Sequence, residues 1–107
     1  FIDPDEEQVK ASAKTGAQFI EMHTGAYAEN FGYKEEEEEF QKLKNSAQLA
    51  QSLGLKVNAG HGLNYQNVHR MHEIPNLVEL NIGHSIIARS IFVGLEQAIK
   101  EMKALVE

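Results

Sequence analysis

The chain has 107 residues, of which 42% are hydrophobic and 24% are charged, a composition typical of one globular domain rather than of a disordered segment. The net charge of −6 comes largely from consecutive glutamates at positions 35–39, and no cluster of lysine or arginine forms the basic surface that a nucleic-acid partner requires. The absence of cysteine excludes disulfides, thiolate metal sites and a cysteine nucleophile, and it fits a reducing, cytoplasmic setting.

The first residues of the chain have the pattern of the end of a strand, and a predicted helix follows them. Residues 1–3 lack an initiator methionine and resemble the last residues of a strand, so we expect the chain to be part of a longer one. Asp3 before a proline predicts a helix N-cap with Glu6 placed for a capping box, and this helix is expected to run to Thr15. No apolar run approaches the roughly 20 residues that cross a bilayer, so a membrane is not an expected partner.

A strand and a long helix follow. Residues 19–23 alternate between apolar and polar side chains, which predicts a strand, and residues 34–53 have a helical period. The stretch between them, from Tyr27 to Tyr33, is irregular and is interpreted as either a lid or an oligomer contact; the residues do not choose between the two. The glutamates at 35–39 are interpreted as a solvated helical face on which Glu38 meets Lys42 one turn later.

The rest of the chain repeats this alternation. The predicted elements are a strand at 55–59, the loop Gly60-His61-Gly62, a short helix capped by Asn64 and ending before Pro75, a strand at 78–82 ended by Gly83, and a helical segment from His84 onward. Within that last segment, Gly94 marks either a close contact or a join between two helices. Alternating strands and helices are the signature of a parallel sheet with crossover helices, so the fold class is α/β.

The type of parallel sheet follows from the strand pattern. A (β/α)8 barrel uses about 250 residues for eight units, so 107 residues correspond to about three and a half units. An open doubly wound sheet shows the same order of elements and is almost equally favoured on that count alone. Its strands are covered on both faces and continuously apolar, whereas the strands here alternate, which favours a barrel with a polar lumen. Residues 1–107 are therefore predicted to form a single partial domain, the C-terminal three to four βα units of a TIM barrel.

Glycine and histidine recur together where the second and third strands end. Gly60-His61-Gly62 and Gly83-His84 fall at C-terminal strand ends, where barrel active sites lie and where the last two loops often hold a phosphate. Glycine lets backbone N–H groups approach an oxyanion, and histidine adds a donor or an acid. The alternative is that both motifs are tight turns with histidines on the rim, but two of them on consecutive strand ends favour phosphate binding.

Two side chains are candidates for acid–base chemistry. His61 lies between two glycines, so its ring is presented rather than packed, and histidine is the side chain that changes charge near neutral pH. Glu21 is expected on the lumen side of its strand, where it either stabilises developing charge or forms an ion pair; the residues leave both open. His69 and His72 lie three residues apart but have no third ligand in a suitable place, so solvent-facing side chains are favoured over a metal site.

Several segments taken together resemble the pyridoxine 5′-phosphate synthase family of vitamin B6 biosynthesis. They are residues 1–3, 19–25, 53–63, 79–87 with Arg89, and 102–103, so the resemblance covers essentially the whole chain. The long run through Gly60-His61-Gly62 is a specific signal, whereas residues 33–39 resemble the family least.

The resemblance implies a (β/α)8 barrel enzyme that condenses 3-amino-2-oxopropyl phosphate with 1-deoxy-D-xylulose 5-phosphate and releases phosphate and water. It implies no metal or organic cofactor, and it implies homo-oligomers, octamers built from dimers. His61 would be the proton donor, and Glu21 would stabilise the transition state. The aminoketone phosphate would be bound by Gly62, Gly83 and His84.

The family's other acid–base groups, a histidine and a glutamate from early strands, have no counterpart here, nor do the arginines that hold the second phosphate. We therefore expect the 107-residue chain to be inactive by itself. Two other functions stay open: another phosphate-handling barrel enzyme, such as an isomerase or aldolase, and a non-catalytic module that binds a phosphorylated metabolite. Replacing His61 with alanine separates an enzyme from a non-catalytic binding module. Loss of rate with retained binding of the metabolite indicates that His61 acts in catalysis.

Overall fold

The computed structural model describes all 107 residues, which form nine elements built on a three-stranded sheet. In chain order these are α1 (Glu6–Lys14), β1 (Phe19–His23), α2 (Gly25–Asn30), α3 (Glu36–Ser52), β2 (Lys56–Gly60), a 3-10 helix (Val68–Glu73), β3 (Leu77–Asn81), α4 (His84–Val93) and α5 (Leu95–Val106). The strands lie in the order β1-β2-β3 and all pairs are parallel. The predicted α/β class is confirmed, and a parallel sheet joined by helices is compatible with part of a barrel.

The carboxyl ends of the three strands lie side by side. In the register of the sheet, His23 is opposite Gly60, and Gly60 is opposite Asn81. Ile2 adds a parallel bridge on the other side of β1, so the strand-like character predicted for residues 1–3 is present at this residue. The loops that follow the three strands therefore start from one edge of the sheet.

The two faces of the sheet differ as the alternating pattern predicts for β1 and β2. One face is buried under the helices and joins their apolar side chains in a single core, which includes Ile20, Met22, Val57, Ala59, Phe40 and Leu43. The opposite face carries polar side chains that are half-buried, namely Glu21, His23 and Asn58. The polar face of the sheet is thus the one that holds the candidate acid–base residues.

β3 departs from the predicted pattern because its pairing with β2 is irregular. Val57 pairs with Leu77 but Ala59 pairs with Leu80, so β3 accommodates one extra residue between these points. Leu77 and Leu80 consequently contact the core, whereas Val78, predicted on the apolar face, is 53% exposed. An irregularity of this kind moves side chains to the other face without changing the sequence pattern that predicted the strand.

The first helix begins later than predicted, because Asp5 and not Asp3 is its N-cap. The Asp5 carboxylate accepts a hydrogen bond from the Gln8 N–H at 3.1 Å. The Gln8 side chain in turn accepts from the Asp3 N–H at 3.0 Å, which is the kind of reciprocal arrangement found in a capping box. Glu6, predicted to fill that role, forms an ion pair with Lys10 instead.

The glutamate run is not simply a solvated face. Arg70 of the 3-10 helix donates to the carboxylates of Glu36, Glu37 and Glu73 at 2.9, 2.9 and 3.2 Å. The predicted pair between Glu38 and Lys42 is wrong, since Lys42 pairs with Glu39 at 3.2 Å. These contacts tie the start of α3 to the 3-10 helix, which lies next to the loop after β2.

The last helical segment is divided at Gly94, whose φ of +85° joins α4 to α5. Of the two roles considered for this glycine, the join between helices is confirmed. α4 leaves large apolar side chains uncovered, with Ile91 79% and Phe92 83% exposed. None of the helices combines the length and the apolar character needed to cross a membrane.

Candidate active site

A cavity of about 370 Å³ opens at the carboxyl ends of β2 and β3. Its lining contains three of the candidate residues, His61, Gly62 and His84, together with Leu63, Asn64, Ile82 and Ser85. The structure therefore brings the two glycine–histidine motifs to one space. Gly83 immediately precedes α4 beside this cavity, and Glu21 lies on the polar face of β1 outside its lining.

The loop after β2 has an unusual backbone conformation. His61 and Gly62 have φ values of +93° and +78°, and for a non-glycine residue such as histidine this costs on the order of 1–3 kcal/mol. Thr24, which is fully buried at the end of β1, donates its hydroxyl to the His61 carbonyl. The backbone N–H of Thr24 donates to the Gly60 carbonyl at 2.9 Å. The residue that follows β1 thus holds the loop that follows β2.

A buried asparagine holds the other end of the same loop. The Asn67 amide donates to the Gly62 carbonyl at 3.2 Å and accepts from the Asn64 N–H at 2.8 Å. Asn64 accepts in return from the Asn67 N–H at 2.9 Å and so closes the turn before the 3-10 helix. The N-cap of that helix is Asn67, so the capping role predicted for Asn64 is wrong. These reciprocal bonds leave the backbone of Gly62 little freedom to move away from the cavity.

Tyr27 fastens this arrangement to the core. It is 1% exposed in α2, and its hydroxyl donates to the Asn67 carbonyl at 2.6 Å. Burial, with a smaller contribution from the nearby negative charge of Glu36, raises the pKa of Tyr27 to about 12, so the phenol stays protonated at neutral pH. The interpretation of Tyr27 as part of a lid or an oligomer contact is therefore wrong.

The first turn of α4 borders the cavity. No side chain caps this helix at Gly83, and the first N–H groups of an α-helix have no partner inside the helix. The partial positive charge at such an end favours an anion. The Ser85 hydroxyl donates to the Leu63 carbonyl at 2.9 Å and ties this turn to the loop after β2. The cavity is thus lined by two histidines and lies at a helix end that favours an anion.

The carboxylate of Glu21 is held by Asn81, which the sequence pattern does not indicate as a site residue. Asn81 on β3 donates from Nδ2 to Glu21 Oε1 at 2.7 Å, although β2 lies between their strands. A Cβ atom at Gly60 would lie 2.7 Å from the Asn81 carbonyl oxygen and 2.8 Å from Glu21 Oε2. Glycine at this point of β2 leaves the space in which the amide reaches the carboxylate. The partner of Glu21 is a neutral amide, so the ion pair considered for it does not form within this chain.

His69 and His72 lie apart from the cavity and each contacts a backbone carbonyl. His69 Nδ1 is 2.9 Å from the Gln66 oxygen, and His72 Nε2 is 2.8 Å from the Leu105 oxygen. Because a carbonyl only accepts hydrogen bonds, these ring nitrogens are donors. His69 therefore binds the turn just before the 3-10 helix, and His72 connects the 3-10 helix to α5.

Known proteins resemble this chain along its whole length. All 107 residues match the family of the pyridoxal phosphate biosynthesis protein PdxJ. The pyridoxine 5′-phosphate synthases of Geotalea daltonii and Geobacter sulfurreducens are 51% and 50% identical to the chain over 107 residues, and that of Akkermansia muciniphila is 52% identical over 108. Each alignment covers 100% of this chain but only 45%, 45% and 44% of the relative, so the chain spans slightly less than half their length. With a family match from its first residue to its last, the chain belongs to the PdxJ family of pyridoxal phosphate biosynthesis proteins.

Proposed function

We propose that this chain is the part of a pyridoxine 5′-phosphate synthase that carries the proton donor and the aminoketone-phosphate site. The complete enzyme condenses 3-amino-2-oxopropyl phosphate with 1-deoxy-D-xylulose 5-phosphate and releases phosphate and water. The observation that carries the proposal is the cavity into which His61, Gly62 and His84 all face. The names of relatives that share about half of its residues support the choice of reaction.

The phosphate of the aminoketone is assigned to the first turn of α4. Gly83 and Gly62 present backbone N–H groups without side chains in the way, and His84 adds an imidazole beside them. An anion here interacts favourably with the helix end, because its N–H groups carry no side-chain cap. A phosphate in this position places the rest of the small substrate within reach of the loop after β2.

The two acid–base roles follow from the positions of His61 and Glu21. His61 is exposed to the cavity on a rigid loop, so it is assigned as the proton donor. Glu21 carries a carboxylate whose orientation is set by Asn81, and it is assigned to stabilise positive charge that develops in the transition state. A carboxylate that is already oriented stabilises such charge without reorganising.

We further propose that residues 1–107 form a single partial domain, the C-terminal three to four βα units of a (β/α)8 barrel. The strands are all parallel, and one face of β1 and β2 is polar, which fits a barrel with a polar lumen. β3 is an open edge, and the exposed Ile91 and Phe92 need a covering surface. The remaining barrel units, and further subunits of a cytoplasmic homo-oligomer, would cover them.

The assignment of the phosphate site leads us to expect a selective effect of Gly62→Ala. The test uses a chimera in which residues 1–107 replace the matched 107 residues of the Geotalea daltonii enzyme. A Cβ at Gly62 would lie 2.7 Å from the Cβ of Ala28, so the loop must shift and its N–H groups leave the phosphate. The KM for 3-amino-2-oxopropyl phosphate should rise about tenfold, while that for the second substrate changes less than about twofold.

Gly94→Ala is the matched control for this experiment. Gly94 also has a positive φ, +85°, but a Cβ there would meet nothing within 4 Å. The control therefore also places a Cβ on a backbone of positive φ, but it does so without displacing the loop. A rise in KM that is equal for both substrates, or equal in both variants, would contradict the assignment of the phosphate site.

A further inference from the structure

His23 has no role in the proposed mechanism, yet its ring lies against the proposed acid. It is the last residue of β1 and is half-buried on the polar face of the sheet. Its imidazole is stacked on that of His61, with the ring centroids 4.5 Å apart and the ring planes 23° from parallel. The two rings are therefore in stacking contact, at the short end of the distances over which aromatic pairs attract each other.

The His23 ring is itself held on several sides. The Gly25 N–H donates to Nδ1 at 3.1 Å, and the Phe1 ring meets the imidazole edge-on at a centroid distance of 5.1 Å. A Cβ at Gly25 would overlap the His23 ring, so the glycine is what allows the backbone to approach this closely. Because an N–H only donates, Nδ1 is an acceptor and the neutral ring carries its proton on Nε2. His23 thus presents a fixed, flat face.

The His61 ring is held in a different way. Its backbone has a positive φ and its carbonyl accepts a hydrogen bond from Thr24, whereas its imidazole contacts the chain through the stack on His23 and not through a hydrogen bond. Its two ring nitrogens are therefore free for a substrate, and the orientation of the ring depends on what it packs against. The stacked ring of His23 is the aromatic surface in that position.

We propose that His23 is a positioning residue, whose stacked imidazole holds the ring of His61 in the orientation from which it donates its proton. The proposal rests on the proposed function, because that function assigns His61 as the acid. His23 acts through the face of its ring and not through a proton of its own. An aromatic side chain should therefore replace it, and a polar one of similar shape should not.

Three variants in the chimera separate the stack from the hydrogen bond. His23→Phe keeps an aromatic face without the acceptor, His23→Asn keeps an acceptor without the ring, and His23→Ala removes both. We expect kcat to fall about 10- to 100-fold in His23→Ala and His23→Asn, because small misplacements of a catalytic group are costly, and to stay within about threefold of the parent in His23→Phe. The KM of each substrate should change less than about twofold, since binding is not affected.

The relative kcat values of the three His23 variants test the positioning role. If His23→Phe is impaired as much as His23→Ala, or if His23→Asn restores turnover, the hydrogen bond or a ring proton matters and the positioning role is overturned. Unchanged kcat in His23→Ala overturns it as well. If His23→Ala does not fold, the kcat of His23→Phe relative to that of His23→Asn still tests the positioning role.

A second readout does not depend on turnover. A stacked ring shields the protons above its face, so the carbon-bound ring protons of His61 should shift downfield in the NMR spectrum of His23→Ala and stay upfield in His23→Phe. Absence of product from the parent chimera would count against the proposed function, whereas the ring shift still reports the stack. Resonances that stay in place in His23→Ala would overturn the positioning role itself.

Discussion

Replacing His61 with asparagine in the chimera is expected to lower kcat by about 10²- to 10⁴-fold, which is the usual contribution of a general acid. Asparagine is a suitable replacement because it tolerates the positive φ of +93° better than most residues and stays polar, but it is not an acid near neutral pH. The dissociation constant of 3-amino-2-oxopropyl phosphate should change less than about threefold, since the phosphate is assigned to other groups. Steady-state kinetics and calorimetric titration measure the two quantities.

His69→Asn is the matched control for this substitution. His69 is also an exposed histidine, but it lies on the 3-10 helix and contacts the Gln66 carbonyl instead of the cavity. Its replacement should leave kcat within about twofold of the parent. Turnover that survives His61→Asn would remove His61 from the role of proton donor, and equal losses in both variants would point to a general loss of structure.

Replacing Gly60 with alanine is expected to lower kcat about 10- to 100-fold, although Gly60 lies in a regular strand and touches no substrate in our assignment. The added Cβ would lie 2.7 Å from the Asn81 carbonyl oxygen and 2.8 Å from Glu21 Oε2. The carboxylate must therefore leave the position in which Asn81 holds it. Overpacking of this kind also costs on the order of 1–3 kcal/mol of stability, so the apparent melting temperature should be measured beside kcat.

A double-mutant cycle with Asn81→Ala separates these effects. Asn81→Ala removes the 2.7 Å hydrogen bond to Glu21 without adding bulk, and we expect about a tenfold loss of kcat. If both substitutions act through the orientation of Glu21, the double variant should lose less than the product of the two single losses. Losses that multiply fully would show that Gly60 acts independently of the bond between Asn81 and Glu21. A lower melting temperature with unchanged kcat would show that Gly60 matters only for folding.

Much of the site could be predicted because parallel strands place their carboxyl ends at one edge of a sheet. That rule leads from two glycine–histidine motifs to one cavity, which His61 and His84 both line. The alternation of apolar and polar residues likewise predicts that Glu21 lies on the polar face of β1, as it does. Both inferences depend on local pattern and on chain order, which a sequence displays directly.

The contacts that orient these groups could not be predicted in the same way. The hydrogen bond from Asn81 on β3 to Glu21 on β1 passes over β2 and depends on the absence of a side chain at Gly60, so it follows from register and not from local pattern. The stack of His23 on His61 depends on a histidine with φ +93°, which that residue type rarely adopts. The bulge that exposes Val78 is of the same kind, because it results from how β3 pairs with β2.

The burial of Tyr27 could not be predicted from the sequence for a different reason. A tyrosine beyond a strand end on the catalytic side suggested a mobile or intersubunit element, but the residue lies in the core and donates to a carbonyl 40 positions away. A buried tyrosine needs such a partner, and which carbonyl supplies it is decided only by the packing of α2 against the loop after β2. The irregular sequence pattern around Tyr27 predicts neither this burial nor the helix α2 that contains the residue.

The most direct measurement is the rate at which pyridoxine 5′-phosphate forms from 3-amino-2-oxopropyl phosphate and 1-deoxy-D-xylulose 5-phosphate. It should be made with the chimera and with the isolated 107-residue chain at equal concentration. We expect product from the chimera and none from the isolated chain, because the chain supplies one part of the site. A chimera that folds and binds the aminoketone phosphate without forming product, or turnover by the isolated chain, would contradict the proposed division of the site.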